Sequence, residues 1–284
     1  GGVFVFINFL FFFILQNINL LDLNGIFISL EIFIISTVFF IVGVLDDKKN
    51  LNPYFKISIL ISVILIFLLI EPRAILNNLR FSFINKELNL GSMSLFISIL
   101  CFIIFINALN FFDGLNFQVG AYLIIFFIFL NIISFDIFLI ILLVPLIIFI
   151  FYNFNGKIFL GNNGSHFLGF IISYICISLY NDQKIIFSDQ VVLLMIVPGI
   201  DMLRLVFFRL KLRKNPFFPD RNHMHHLIPK KIGKLKYFIL LSVLILVPNI
   251  LYLQGFNFLY LISFIIFTYF YFIFIHKRNA KIFK

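Results

Sequence analysis

Ten apolar runs follow one another along this chain, and they dictate most of what it can fold into. They cover about residues 3–21, 27–45, 55–71, 92–109, 118–134, 136–152, 166–180, 190–209, 236–253 and 256–275. Most reach 17 residues or more, long enough as helices to cross the ~30 Å hydrocarbon core of a bilayer. Hydrophobic residues make up 62% of the chain, whereas soluble domains sit near half. The expected fold is therefore all-α: a polytopic integral membrane protein with about ten transmembrane helices. It reads as a single membrane-embedded domain over 1–284, with a polar loop at 210–235 set into it.

Alternation of the spans puts segments 46–54, 110–117, 153–165, 210–235 and 276–284 on one face. With Lys56 and the residues at the span edges, that face holds 17 Lys and Arg; the other holds Arg73, Arg80, Lys86 and Lys184, with Arg204 inside a span. The asymmetry makes the first face cytoplasmic. It also accounts for the net charge of +10 without nucleic acid, which is excluded as a partner. Cys101 and Cys176 sit in apolar runs and read as inert buried thiols. The 45 Phe read as lipid-facing filler, and stretch 79–90 as a small hairpin on the opposite face. Asp201 and Arg204, three apart in one span, read as a buried ion pair.

Four polar clusters fall on the cytoplasmic face. Asp46-Asp47 ends a span, where paired carboxylates repel unless a cation or proton joins them; hard oxygen donors suit Mg²⁺ beside phosphates. Asn107, Asn110 and Asp113 form a stripe on one helix, and buried amides are costly unless paired. Gly161-Asn162-Asn163-Gly164-Ser165 is a small-residue turn, with Ser165 placed to cap the next helix and main-chain N–H groups open to an anion. Arg221, His223, His225 and His226 crowd six residues of the basic loop, a set suited to diphosphate.

In this order the clusters resemble the bacterial polyprenyl-phosphate N-acetylhexosamine-1-phosphate transferases, relatives of the phospho-N-acetylmuramoyl-pentapeptide transferase of peptidoglycan synthesis. The likeness runs from residue 1 to about 230. Asp46-Asp47 is similar to the family's paired aspartates, and Asn107, Asn110, Asp113 and Gly114 to its Asn-x-x-Asn-x-x-Asp-Gly motif. Gly161, Gly164, Ser165 and Gly169 fit Gly-Asp-x-Gly-Ser-x-x-x-Gly. Pro219-Asp220-Arg221-x-His223-x-His225-His226 is similar to the signature of the branch using UDP-N-acetylglucosamine-like donors.

The resemblance implies transfer of a sugar 1-phosphate from a UDP-N-acetylhexosamine to polyprenyl (undecaprenyl) phosphate, releasing UMP and starting a cell-envelope glycan. It implies Mg²⁺, with Mn²⁺ as an alternative, held by Asp47, Asp113 and Asn162. Catalytic roles would go to Asp46, Asp47, Asp113, His225 and His226. Asn107, Asn110, Gly164, Ser165, Arg221 and His223 would bind substrate. The setting would be the bacterial inner membrane, multi-pass, with the site facing the cytoplasm. Membrane lipid is the further partner, and a homodimer stays open.

Two departures stand out. Asn116-Phe117 replaces an Asp-Gly, and Asn162 replaces an Asp that binds Mg²⁺ in the resembling enzymes. The family also carries a further span before a Gly-Gly. This chain starts at Gly1-Gly2, so eleven spans are expected at full length. The alternatives are a metal-ion or polar-solute transporter using Asp201 and Arg204, and an inactive homologue.

Overall fold

The computed structural model describes residues 1–18, 26–84, 86–213, 215, 224, 228 and 233–281. Among them are ten α-helices: α1 Gly2–Asn17, α2 Leu30–Lys49, α3 Pro53–Ile70, α4 Ser94–Phe112, α5 Gln118–Ile133, α6 Ile137–Phe154, α7 Gly161–Asn181, α8 Ser188–Lys211, α9 Lys234–Leu253 and α10 Phe258–Lys281. Each coincides with one apolar run. Six are long and apolar enough to cross a membrane: those over Pro53–Ile70, Gly91–Phe112, Ile137–Phe154, Ser188–Lys211, Leu235–Leu253 and Phe258–Ile275. α1 and α5 are apolar but have only 16 residues each. The only sheet among the described residues is the expected hairpin, β1 Asn78–Leu79 antiparallel to β2 Leu88–Asn89, with Asn78 opposite Asn89.

The helix ends follow from local chemistry. Ser29 caps α2 by accepting from the Ile32 N–H, Glu31 sits in its first turn and Lys48 and Lys49 in its last, each charge matching the helix dipole. Asn52 caps α3 ahead of Pro53, which occupies a position where its missing N–H has no cost. Asp136 caps α6 through the Phe138 N–H at 2.9 Å. It also accepts from Ile26 N–H at 2.6 Å, which ties the start of the α2 segment to α6.

The chain packs as two compact units. The first takes in Gly1–Arg80 and Lys86–Ser188, with α7 at its centre against α1, α2 and α4. Small residues let these helices approach closely. A side chain on Gly43 would overlap the main chain of Asn162 and Asn163, and one on Gly169 would come within 2.7 Å of Ile106 Cα. Phenylalanine fills the seams. Phe39 stacks on Phe170 with centroids 4.7 Å apart, and Phe67 meets Phe102 and Phe170 edge-on. Phe9, Phe12, Phe39, Phe67, Phe102 and Phe138 are fully buried. This corrects the reading of phenylalanine as lipid-facing filler: flat rings interdigitate between helices as well as facing outward.

Gly43→Ala is expected to lower the stability of this unit by about 1–3 kcal/mol, the scale of overpacking against unyielding main chain. Thermal unfolding of the detergent-extracted protein checks it. An unchanged midpoint would mean that α2 and α7 do not approach this closely.

The second unit takes in Phe81–Asn85 and Asp189–Lys284. Asp189, fully buried, accepts from the Ser82 N–H at 2.9 Å and from its hydroxyl, and from the Tyr252 hydroxyl at 3.4 Å. The expected Asp201–Arg204 ion pair is present at 2.8 Å. Cys101 and Cys176 are both free thiols.

Candidate active site

The first turn of α7 leaves main-chain N–H groups without helical partners, and the helix dipole favours an anion there. The anion is supplied from within the chain. Asp47, in the last turn of α2, accepts from the Asn162 N–H at 2.9 Å through Oδ1. Its Oδ2 accepts from the Asn163 N–H at 3.2 Å and the Asn163 side-chain amide at 2.6 Å. Gly161 makes the approach feasible. It has φ +75°, and a Cβ there would lie 3.0 Å from Asp47 Oδ2.

This corrects the role expected of Ser165. The helix begins one turn earlier, at Gly161, because Asp47 caps it from another helix. Ser165 is buried inside α7, where its hydroxyl accepts from the Asn110 amide at 2.9 Å. The same amide donates to Asn162 Oδ1 at 2.6 Å. Gly164 packs against Leu160 and Gly2 with no room for a side chain.

Asp113 follows the last residue of α4 as its C-cap. Burial pushes its carboxyl up to about 7; a hydrogen bond from the Gly161 main chain pulls it down, and the charge of Asp47 pushes it up. Asp47, Asp113, Asn110, Asn162 and Ser165 thus gather around one helix start, contributed by α2, α4 and α7. Asn107 does not join them through a described hydrogen bond: its amide donates to Ile103 O of its own helix at 2.8 Å.

The two adjacent aspartates serve different neighbours. Successive residues on a helix point ~100° apart. Asp46, only 5% exposed, turns to α3, where it meets Lys56 Nζ at 2.9 Å and accepts from the Leu51 N–H at 3.1 Å. Lys56 was counted in the sequence only as a charge. The signal was an Asp ten residues earlier, across a tight α2–α3 turn. Asn163 was the other residue passed over.

The departure at Asn116-Phe117 also has a structural counterpart. Phe117 has φ +79°, a left-handed conformation that favours glycine. Its N–H is held by Asn153 Oδ1, and its ring meets Phe154 edge-on at 5.2 Å. The Asn153 amide in turn donates to Ile158 O at 2.6 Å. These contacts compensate for the missing glycine. Arg221, His223, His225 and His226 lie outside the described residues.

Among the described residues no three His, Cys, Asp or Glu side chains form a ready metal cage. Two carboxylates do reach the α7 start, Asp47 through the Asn162 and Asn163 N–H groups and Asp113 through the Gly161 main chain. Mg²⁺ is commonly held by one or two carboxylates plus substrate phosphates. That pair, with the second lone pair of Asn162 Oδ1, fits it.

The model of glycosyl transferase family 4 matches residues 28–180, more than half of the chain, and takes in every residue of this cluster. The chain belongs to glycosyl transferase family 4. Family 4 relatives include the undecaprenyl-phosphate alpha-N-acetylglucosaminyl 1-phosphate transferase of Escherichia coli K12, 26% identical over 200 residues, covering 66% of this chain and 54% of the relative. The protein of that name in Salmonella typhi is 24% identical over 241 residues, covering 80% and 64%. That of Thermotoga maritima is 35% identical over 111 residues, covering 38% and 36%. The chain therefore spans little more than half the length of the first of these relatives. It is a multi-pass, all-α member of the family.

Proposed function

We propose that this protein transfers N-acetylhexosamine 1-phosphate from a UDP-sugar to polyprenyl phosphate, giving a polyprenyl-diphosphate-sugar and UMP. The observation that carries the reading is the convergence of Asp47, Asp113 and Asn162, from three separated motifs, on the start of α7. The proposed setting is a bacterial inner membrane crossed by ten helices of this chain. The α7 start faces the cytoplasm, as the basic excess of that face implies.

In this reading an oxygen of the lipid phosphate attacks the β-phosphorus of the nucleotide sugar, and the bond to the UMP oxygen breaks. Both partners are anions, so repulsion is the main obstacle. Mg²⁺ would supply charge neutralisation at the phosphates, held by Asp47, Asp113 and Asn162. Asp47 is fixed by three N–H donors. Asp113, poised near neutrality, is the group able to take up or release a proton at working pH. Asn110 orients Asn162 and Ser165. Arg221, His223, His225 and His226 would bind the diphosphate and stabilise the charge developing on it. Asp46 and Lys56 hold α2 to α3, keeping Asp47 in place.

Membranes carrying the protein, given UDP-N-acetylglucosamine and undecaprenyl phosphate, should form lipid-linked sugar and release UMP. Solute uptake into vesicles without lipid product would support the transporter instead. Asn162→Asp adds a negative charge at the metal position, so half-maximal activity should need roughly threefold less Mg²⁺ or lower still. A Mg²⁺ titration reads this directly. An unmoved midpoint would mean that residue 162 does not ligate.

A further inference from the structure

A polar cavity of about 610 Å³ opens within the first unit, at the opposite end of α7 from the candidate active site. The 21 residues of α7 put ~30 Å between the two. The volume lies within the range of small-molecule sites, about 300–1,000 Å³. Its walls are the start of α2, the stretch from Glu71 to Arg80 and the C-terminal end of α7. Two of these walls are fastened together. The Asn181 amide donates to Arg73 O at 2.7 Å and to Ile75 O at 3.1 Å, and the Arg80 N–H donates to the Tyr180 hydroxyl at 2.7 Å.

The charges around this hollow are out of proportion to the face it lies on. Alternation of the spans gives that face four basic residues, Arg73, Arg80, Lys86 and Lys184. Three of the four line this one cavity, together with Glu71 and Asp182. Arg80 is already engaged, with Nε 3.3 Å from Glu87 Oε1 and its guanidinium over the Tyr180 ring at 5.4 Å. Among the described residues, no hydrogen bond or ion pair engages the side chains of Arg73, Lys184, Glu71 or Asp182. A concave surface focuses the field of the charges that line it. Free guanidinium and ammonium groups suit phosphate oxygens, whereas ionised carboxylates accept only and so suit hydroxyls. We propose that this cavity binds a phosphate ester that also carries hydroxyls, such as a glycerol phosphate headgroup. Arg73 and Lys184 hold the phosphate, and Glu71 and Asp182 receive the hydroxyls. Ile26, Phe27 and Ile32 supply an apolar side to the same cavity. A lipid bearing this headgroup and a free glycerol phosphate share the chemistry. The site stands whatever reaction the far end of α7 performs.

The test uses the whole detergent-extracted protein. Native mass spectrometry measures retention of phosphatidylglycerol and of phosphatidylcholine, and calorimetric titration measures binding of free glycerol 1-phosphate. Phosphatidylglycerol should bind at least ~5-fold more tightly than phosphatidylcholine, and Arg73→Gln and Lys184→Gln should each weaken it by a similar factor, as expected for a lost charge-assisted bond. Both side chains are exposed, so either variant should melt as the wild type does. Lys86→Gln removes the fourth cation of the face, outside the cavity, and should bind as the wild type does. Glycerol 1-phosphate bound with the same sensitivity to Arg73→Gln and Lys184→Gln would support the site and assign it a soluble ligand. Binding of phosphatidylglycerol alone would assign it a lipid. Equal retention of the two lipids with no uptake of glycerol 1-phosphate would overturn the proposal. So would wild-type binding in both cavity variants, or an equal loss in Lys86→Gln, which would mark a general effect of surface charge.

Discussion

Asp113→Asn should abolish lipid-linked sugar formation, at least ~10²-fold, while making the metal-free protein more stable at pH 8. The carboxyl of Asp113 titrates near 7 in the folded protein, above its ordinary 3.8, chiefly because it is buried. A folded state that holds a proton more tightly than the unfolded chain is favoured at low pH. That advantage is lost as pH rises from about 4 through about 7. At pH 8 the folded protein therefore carries a charge that its surroundings oppose, and asparagine removes it. Thermal unfolding in excess chelator should show the variant melting a few degrees higher at pH 8, with the gain absent at pH 4. A variant that melts lower at pH 8 would mean that the carboxylate is compensated in the metal-free fold. Loss of activity together with a gain of stability is the mark of a residue kept for chemistry.

Asp47 should behave differently, because it both caps a helix and lines the site. Asp47→Ala removes the acceptor of three hydrogen bonds at the start of α7. Loss of a helix cap costs about 1 kcal/mol, and the exposure of this carboxylate keeps the figure at that scale. Asp47→Asn retains an oxygen for the main-chain donors and should keep most of that stability. Both should lose transfer by ~10²-fold or more, since neither supplies the anion. Expression level, melting temperature and turnover of the two variants separate the roles. Full activity in Asp47→Asn would remove Asp47 from the metal and leave it a cap only.

The helices were legible in the sequence because membrane-spanning segments announce themselves by length and apolarity alone. The hairpin around β1 and β2 and the Asp201–Arg204 pair were legible for similar local reasons. The site was readable as a set of residues but not as a geometry. Nothing in Asp46-Asp47 says that one carboxylate turns to Lys56 and the other to α7, since that depends on the phase at which α2 ends. Ser165 read as a cap because local patterns show only neighbours in sequence, and the actual cap comes from 115 residues earlier. The positive φ of Phe117 was hidden too. Its ties to Asn153 and Phe154, both from α6, help to make such a conformation tenable there. Phenylalanine misled because composition does not distinguish a ring facing lipid from one set between helices.

The central claim is that the α7 start serves transfer of a phosphosugar, not of the sugar alone or of a solute. UDP-N-acetylglucosamine labelled at the β-phosphorus tests it most directly, in membranes carrying the protein and supplied with undecaprenyl phosphate and Mg²⁺. The account predicts that label enters the lipid extract in step with unlabelled UMP release, and that Asp113→Asn stops both. Label remaining in the aqueous phase as UDP, or lipid labelling that persists in Asp113→Asn, would contradict it.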